Sequence, residues 1–124
     1  MSKILLLEPN TLLAQTYKKA LKLAGHDVSL CGSAQAAVHA LDKTLPDLII
    51  TELQLAVHNG LEFLYELRSY AEWQRVPVII LSHLPQETPG LERIGQLNIA
   101  AYHYKPLAKL HDLLRSVEQT LVPA

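Results

Sequence analysis

Three short runs of unbroken apolar residues, at positions 4–7, 48–50 and 78–81, constrain the fold of this chain more than any other feature. Each is too short for a helix and ends at polar or helix-breaking residues. None alternates with polar side chains, the pattern of strands buried on both faces of a parallel sheet. Val28-Ser29-Leu30-Cys31 does alternate and reads as an edge strand, and residues 100–104, with Tyr102 and Tyr104, make a fifth candidate.

Helical periods fill the gaps. Leu13, Tyr17, Ala20, Leu21 and Ala24 share one face and stop at Gly25, a C-terminal capping residue. Ser33 is positioned as an N-cap for a helix burying Ala34, Ala37, Val38 and Leu41. Phe63, Leu67, Tyr70 and Ala71 mark a third helix opened near Gly60, with Trp73 at its end capping the core. Residues 91–97 form a weak fourth, interrupted by Gly95, and Leu107, Leu110, Leu114, Val117 and Leu121 mark a long last one. Five β-α units in succession imply an α/β fold, a doubly wound five-stranded parallel sheet of flavodoxin-like (βα)5 form, because parallel strands need crossovers. Residues 1–124 are expected to make a single domain.

Hydrophobic residues at 49% supply a core, and 19% charged residues are too few for a disordered chain. Eleven basic against twelve acidic side chains leave a net charge of −1, which offers no bulk attraction to nucleic acid or to an anionic membrane. One cysteine, Cys31, excludes an intramolecular disulfide, is expected to be a small buried hydrophobe, and fits a cytoplasmic location. The first apolar stretch runs at once into Glu8-Pro9-Asn10, so neither a signal peptide nor a membrane span is expected. In doubly wound sheets ligands gather at the carboxyl ends of the strands. The residues there are Glu8, Glu52, Ser82 and Lys105.

At these positions the chain resembles the receiver domain of two-component response regulators. The resemblance rests on Lys3-Ile4-Leu5-Leu6-Leu7-Glu8, Pro46-Asp47-Leu48-Ile49-Ile50-Thr51-Glu52-Leu53, Gly60-Leu61-Glu62-Phe63-Leu64, Pro77-Val78-Ile79-Ile80-Leu81-Ser82 and Tyr102-His103-Tyr104-Lys105-Pro106, in the family's order and spacing. It implies strand order 2-1-3-4-5 and a cis Lys105–Pro106 bond, though trans is the default from sequence alone. It also implies an aspartate after the third strand that is phosphorylated with Mg²⁺, the metal being held by that aspartate and an acidic pair after the first strand. A Thr or Ser and a Lys bind the phosphoryl oxygens.

The chain departs from that pattern at the chemistry. Glu52 stands at the phospho-acceptor position, and the acidic pair is Glu8 and Pro9, so one metal-binding carboxylate is missing. The extra methylene of Glu52 carries its oxygens past the reacting position, and a displacement of about 1 Å costs on the order of 10²-fold in rate. Phosphorylation, bound Mg²⁺ and enzymatic turnover are therefore not expected, and the chain reads as a degenerate receiver. Ser82 and Lys105 match the phosphoryl-binding pair, and Tyr102 matches an aromatic whose rotation accompanies switching in the family. His83 replaces a small residue and fills or caps the pocket, while Ala56 replaces a proline.

Glu52 has two readings. It mimics a phosphorylated side chain by reaching Ser82 and Lys105, or, as the default, it is an acid neutralised by Lys105. Pro9 reads equally as a first-turn residue of the first helix. His26, His39, His58, His83, His103 and His111 show no metal-binding spacing and are expected in loops or solvent, with His83 set apart by its position beside Glu52. Tyr102 and Tyr104 mark a partner face made of the fourth helix, fifth strand and fifth helix, suited to a signalling protein or to self-association.

The function expected is signalling by protein–protein contact without phosphorylation, any effect passing through a partner. The alternative is a phospho-accepting receiver in a phosphorelay that keeps Mg²⁺-dependent transfer. For that role Asp47 lies at the wrong end of its strand. A small-molecule binder is disfavoured because Glu8-Pro9-Asn10-Thr11 has no glycine to cradle a phosphate.

Overall fold

The computed structural model describes residues 2–55 and 59–122; Ala56 and His58 lie outside them. Strands β1 (Lys3–Leu7), β2 (Asp27–Cys31), β3 (Leu48–Thr51), β4 (Val78–Ser82) and β5 (Ile99–Tyr104) form one parallel sheet in the order β2-β1-β3-β4-β5. Helices α1 (Thr11–Leu23), α2 (Ala34–Lys43), α3 (Gly60–Ser69) and α4 (Leu110–Leu121) connect and cover it.

Alternation along the strands splits the core in two. Leu5, Leu7, Ile49, Val78 and Ile80 pack against α2 and α3, whereas Ile4, Leu6, Ile50, Ile79 and Leu81 pack against α1 and α4. That is why the central runs contain no polar residue: both faces are covered.

The helices start where local chemistry dictates. Asn10, Ser33 and Asn59 accept from the amides of Leu13, Ala36 and Glu62 at 3.0, 3.1 and 2.8 Å, satisfying donors that the first turn leaves free. At the end of α1, Gly25 adopts φ +98°. The His26 amide then reaches the Leu21 carbonyl at 3.1 Å and the Gly25 amide that of Lys22 at 3.0 Å, a Schellman closure. Ala14 and Leu21 are the buried residues of α1, with Leu13 and Tyr17 half-buried and Ala24 exposed at the cap.

Four local expectations are corrected. The fourth helix is only a 3₁₀ turn, Ile94–Leu97, ended by Asn98 at φ 58°. Arg68 holds the C-terminal end of this turn. Its Nε donates to Leu97 O at 2.8 Å and Nη2 to Asn98 O at 3.1 Å, so those carbonyls are held by a side chain. The third helix ends at Ser69, and Arg68 Nη1 ties that end to the carbonyls of Trp73, Gln74 and Val76 at 3.2, 3.1 and 2.8 Å. Tyr70 and Ala71 therefore lie beyond α3 and are exposed, while Trp73 closes the core from a 3₁₀ turn at 4% exposure. The last helix starts at Leu110, where Asp112 accepts from the Lys109 amide at 3.0 Å; Leu107 precedes it and is 79% exposed. Finally, the Lys105–Pro106 peptide is trans.

Candidate functional site

The site lies on the C-terminal rim of the sheet, where the backbone ladder continues one residue past the strands. Glu8 N bonds Cys31 O at 2.9 Å, Glu52 N bonds Leu7 O at 3.0 Å and Lys105 N bonds Ser82 O at 2.8 Å. This in-register extension brings Glu8, Glu52, Ser82 and Lys105 together.

Lys105 Nζ sits between the two carboxylates, 2.5 Å from Glu8 Oε1 and 2.7 Å from Glu52 Oε1. The three side chains are nearly dry, at 5%, 3% and 2% exposure for Lys105, Glu8 and Glu52. Burial alone depresses the lysine pKa, but its hydrogen bonds to Glu52 and Glu8 outweigh that and raise it. Burial alone raises the Glu52 pKa; the bonds from Lys105, Ser82 and the Gln54 amide overcome this and lower it to about 2.

Every acceptor direction of Glu52 is in use. Oε2 takes the amides of Leu53 at 2.6 Å and Gln54 at 3.0 Å and the Ser82 hydroxyl. Oε1 takes Lys105 Nζ and the His83 amide at 3.2 Å, and the His83 ring Nδ1 lies 3.3 Å away. Six contacts thus crowd the about four lone-pair directions that a carboxylate offers. Glu8 is similarly engaged: Oε1 on Lys105 and Oε2 on the Asn10 amide at 3.0 Å. Pro9 is exposed and precedes the capping Asn10, so it stands ahead of the cap rather than in the first turn of α1.

A second chain of bonds leads outward. Ser82 Oγ donates to Glu52 and accepts from the Leu84 amide at 3.0 Å, and the Leu84 carbonyl accepts from Tyr102 OH at 2.5 Å. Tyr102 is half-buried against the α2–α3 half of the core. The His83 ring is 53% exposed, so it caps the pocket from outside rather than filling it. Tyr104 is half-buried and, with Tyr102, Leu107, Asp112 and Arg115, lines a shallow groove between β5 and α4. Asp47 accepts from Lys3 N at 2.8 Å, at the opposite end of the sheet.

Two histidines depart from the solvent or loop positions expected of them. The His26 side chain is 8% exposed and bonds Glu118 Oε1 at 2.9 Å through Nε2, and half-buried His103 bonds Ser116 Oγ at 2.7 Å. Burial lowers the pKa of His103. Cys31 is buried and free, and burial raises its thiol pKa. Among the described residues no group of three or more His, Cys, Asp or Glu side chains is placed to hold a metal ion, and no helix is long and apolar enough to cross a membrane.

A sheet of order 2-1-3-4-5 carrying two carboxylates, a hydroxyl and a lysine on its C-terminal rim defines the receiver class of signalling domain. The chain belongs to the response regulator receiver domain family, whose profile matches residues 4–118. The alginate biosynthesis transcriptional regulatory protein AlgB of Pseudomonas putida is 33% identical over 104 residues, 84% of this chain and 22% of AlgB. The KDP operon transcriptional regulatory protein KdpE of Escherichia coli is 30% identical over 131 residues, 99% of this chain and 56% of KdpE. This chain thus spans about a fifth of the first relative and just over half of the second. The chemotaxis protein CheY4 of Vibrio cholerae shares the fold, with a TM-score of 0.86 at 22% identity over 98% of this chain and 99% of that one.

Proposed function

We propose that this chain is a pseudo-receiver: a cytoplasmic, non-enzymatic signalling module that works without phosphorylation, its switch occupied by its own Glu52. The observation that carries the reading is the set of bonds from Ser82, Lys105 and the His83 amide to one glutamate carboxylate. Ser82 and Lys105 are the residues that match the family's phosphoryl-binding pair. A carboxylate brings one charge and two oxygens where a phosphoryl group brings more of both, so the mimicry is partial but permanent.

The same geometry argues against Mg²⁺. A hard divalent cation takes near-octahedral oxygen coordination. Here the two rim carboxylates are engaged by Lys105 and backbone amides, and Pro9 offers no donor. The Lys105 ammonium stands between the carboxylates as a built-in cation.

Output passes from Glu52 through Ser82 and Leu84 to Tyr102, and from there to a protein partner seated on the β5–α4 groove beside Tyr104. The fourth helix expected in that face is only the 3₁₀ turn Ile94–Leu97, whose Ile94 and Leu97 pack in the α2–α3 half of the core. The test is intact mass after incubation with Mg²⁺ and a small-molecule phosphodonor, with Glu52→Asp alongside. The natural chain is expected to gain nothing. Stoichiometric gain of a phosphoryl group by the natural chain would overturn the reading and install the phospho-accepting alternative. A gain by Glu52→Asp alone would assign the block to the extra methylene.

A further inference from the structure

Two helix faces on opposite sides of the sheet carry opposite charge. On α1, Leu12, Gln15, Thr16, Lys19, Lys22 and Leu23 recur at the steps that line one side of a helix, and all are exposed. Leu12 and Leu23 are 78% and 81% exposed, a large apolar area for two residues one face apart from the core. The helix carries Lys18, Lys19 and Lys22 and no acid, and among the described residues none of these lysines is paired with a carboxylate. On the other side of the sheet, Glu62, Tyr65 and Glu66 share the exposed face of α3. An open groove runs between α2 and α3, its floor made by Ala34, Val38 and Phe63 and its edges by Gln35, Glu62 and Glu66.

We propose that copies of this chain associate head to tail, the outward face of α1 from one copy seated in the α2–α3 groove of the next. Lys19 and Lys22 then meet the Glu66 edge, and Leu23, one turn from Lys19, covers the groove floor. The occupant is a second copy because the chain itself supplies both complementary halves, a basic face with projecting leucines and an acidic groove with an apolar floor. The net charge of −1 conceals this separation. The two patches are different surfaces, so the contact is heterologous and propagates into rings or open chains instead of closing as a two-fold dimer. It leaves the β5–α4 groove uncovered, so it goes beyond the partner contact proposed above and does not depend on it.

Sedimentation velocity over a range of protein concentrations tests this, at low salt and at 1 M salt, where the screening length falls from about 10 Å at 0.1 M to about 3 Å. The expected result is a mass that climbs past the dimer with concentration and falls back with salt. Two charge-reversed variants complete the test: Lys19→Glu with Lys22→Glu on α1, and Glu66→Lys on α3. Each alone sets like charges against each other and weakens association by roughly tenfold or more. An equimolar mixture of the two restores it, because the acidic α1 of one meets the basic α3 of the other, and that recovery also shows that both are folded. A natural chain that stays monomeric throughout would overturn the proposal and leave these faces to a foreign partner. Association that stops at a dimer, ignores the reversals, or fails to return on mixing would overturn it equally.

Discussion

Lys105 Nζ stands 2.7 Å from Glu52 Oε1 with the two side chains 5% and 2% exposed, so the pair is buried rather than a surface ion pair. The same ammonium also holds Glu8, which makes Lys105 the only positive charge shared by two buried carboxylates among the described residues. Removing one partner of a buried pair costs about 3–5 kcal/mol, because the charge left behind stays desolvated. Lys105→Met is expected to lose stability of that size in urea unfolding at neutral pH. Burial then raises the Glu52 pKa without the ammonium to offset it, so the variant gains stability relative to the natural chain as pH falls through the carboxylate range. A variant that loses less than about 1 kcal/mol would mean that the backbone amides alone sustain both acids.

The pH dependence of the natural chain follows from Glu52. Its pKa is lowered from the ordinary 4.5 to about 2, so the folded state binds fewer protons than the unfolded state between those values. The stabilisation is fully present above pH 4.5 and is lost as pH falls through about 2. At about 1.4 kcal/mol per unit, the loss is on the order of 3 kcal/mol. Lys105 works in the opposite direction at the alkaline end: its raised pKa stabilises the fold below the unfolded lysine value, and the benefit goes as pH rises through the folded one. Urea unfolding of Glu52→Gln at a series of pH values is expected to show a much flatter acid limb. An unchanged slope would assign acid sensitivity to other carboxylates.

Gly60 fixes where Glu52 lies. A Cβ at this first residue of α3 would stand 2.6 Å from Leu53 Cα and 2.7 Å from Glu52 O, both backbone atoms that cannot step aside. The Gly60 amide bonds Leu53 O at 2.8 Å, so the helix end is pressed against the segment that follows β3. Gly60→Ala is expected to destabilise by about 1–3 kcal/mol through overpacking. It also displaces the Leu53 and Gln54 amides from Glu52, so the acid limb becomes shallower than in the natural chain. Loss of stability with the limb unchanged would separate the packing role of Gly60 from its positioning of the carboxylate.

The strands and the rim were legible because their signals are local. Unbroken apolar runs identify strands covered on both faces, and the residues immediately after them must lie at the sheet's carboxyl end. The helix start at Ser33 was equally local, set by a cap three residues ahead of the amide it satisfies, whereas the start near Gly60 was read without its cap, Asn59. Much of what escaped depends on distant partners. No pattern around His26 announces Glu118, 92 positions away. The folding of Glu52 back onto its own Leu53 and Gln54 amides is local, but it depends on side-chain torsions that no sequence pattern encodes. The groove beside Tyr102 and Tyr104 was legible as a face, but not the bond that turns Tyr102 toward Leu84.

The turn found in place of the fourth helix is the clearest case, because its C-terminal end is held by a single side chain in another element. Arg68 donates to five carbonyls, those of Trp73, Gln74, Val76, Leu97 and Asn98, at 2.8 to 3.2 Å. A planar guanidinium with five N–H groups serves a fan of acceptors, whereas an ammonium has three donors. Arg68 therefore staples the end of α3 to the turn leading into β5, on the side of the sheet opposite the α1 and α4 half of the core. Arg68→Ala leaves partly buried carbonyls without donors, each costing about 1–3 kcal/mol where water cannot enter. The expected loss in denaturant unfolding is about 3 kcal/mol, and Arg68→Lys recovers less than half of it. Hydrogen exchange should locate the effect in residues 94–98 and the start of β5 while the amides of β1 and β3 keep their protection. If Lys restores full stability, the clamp is a matter of charge alone and the fan of bonds is incidental; if exchange rises uniformly across the sheet, Arg68 supports the whole core rather than this corner of it.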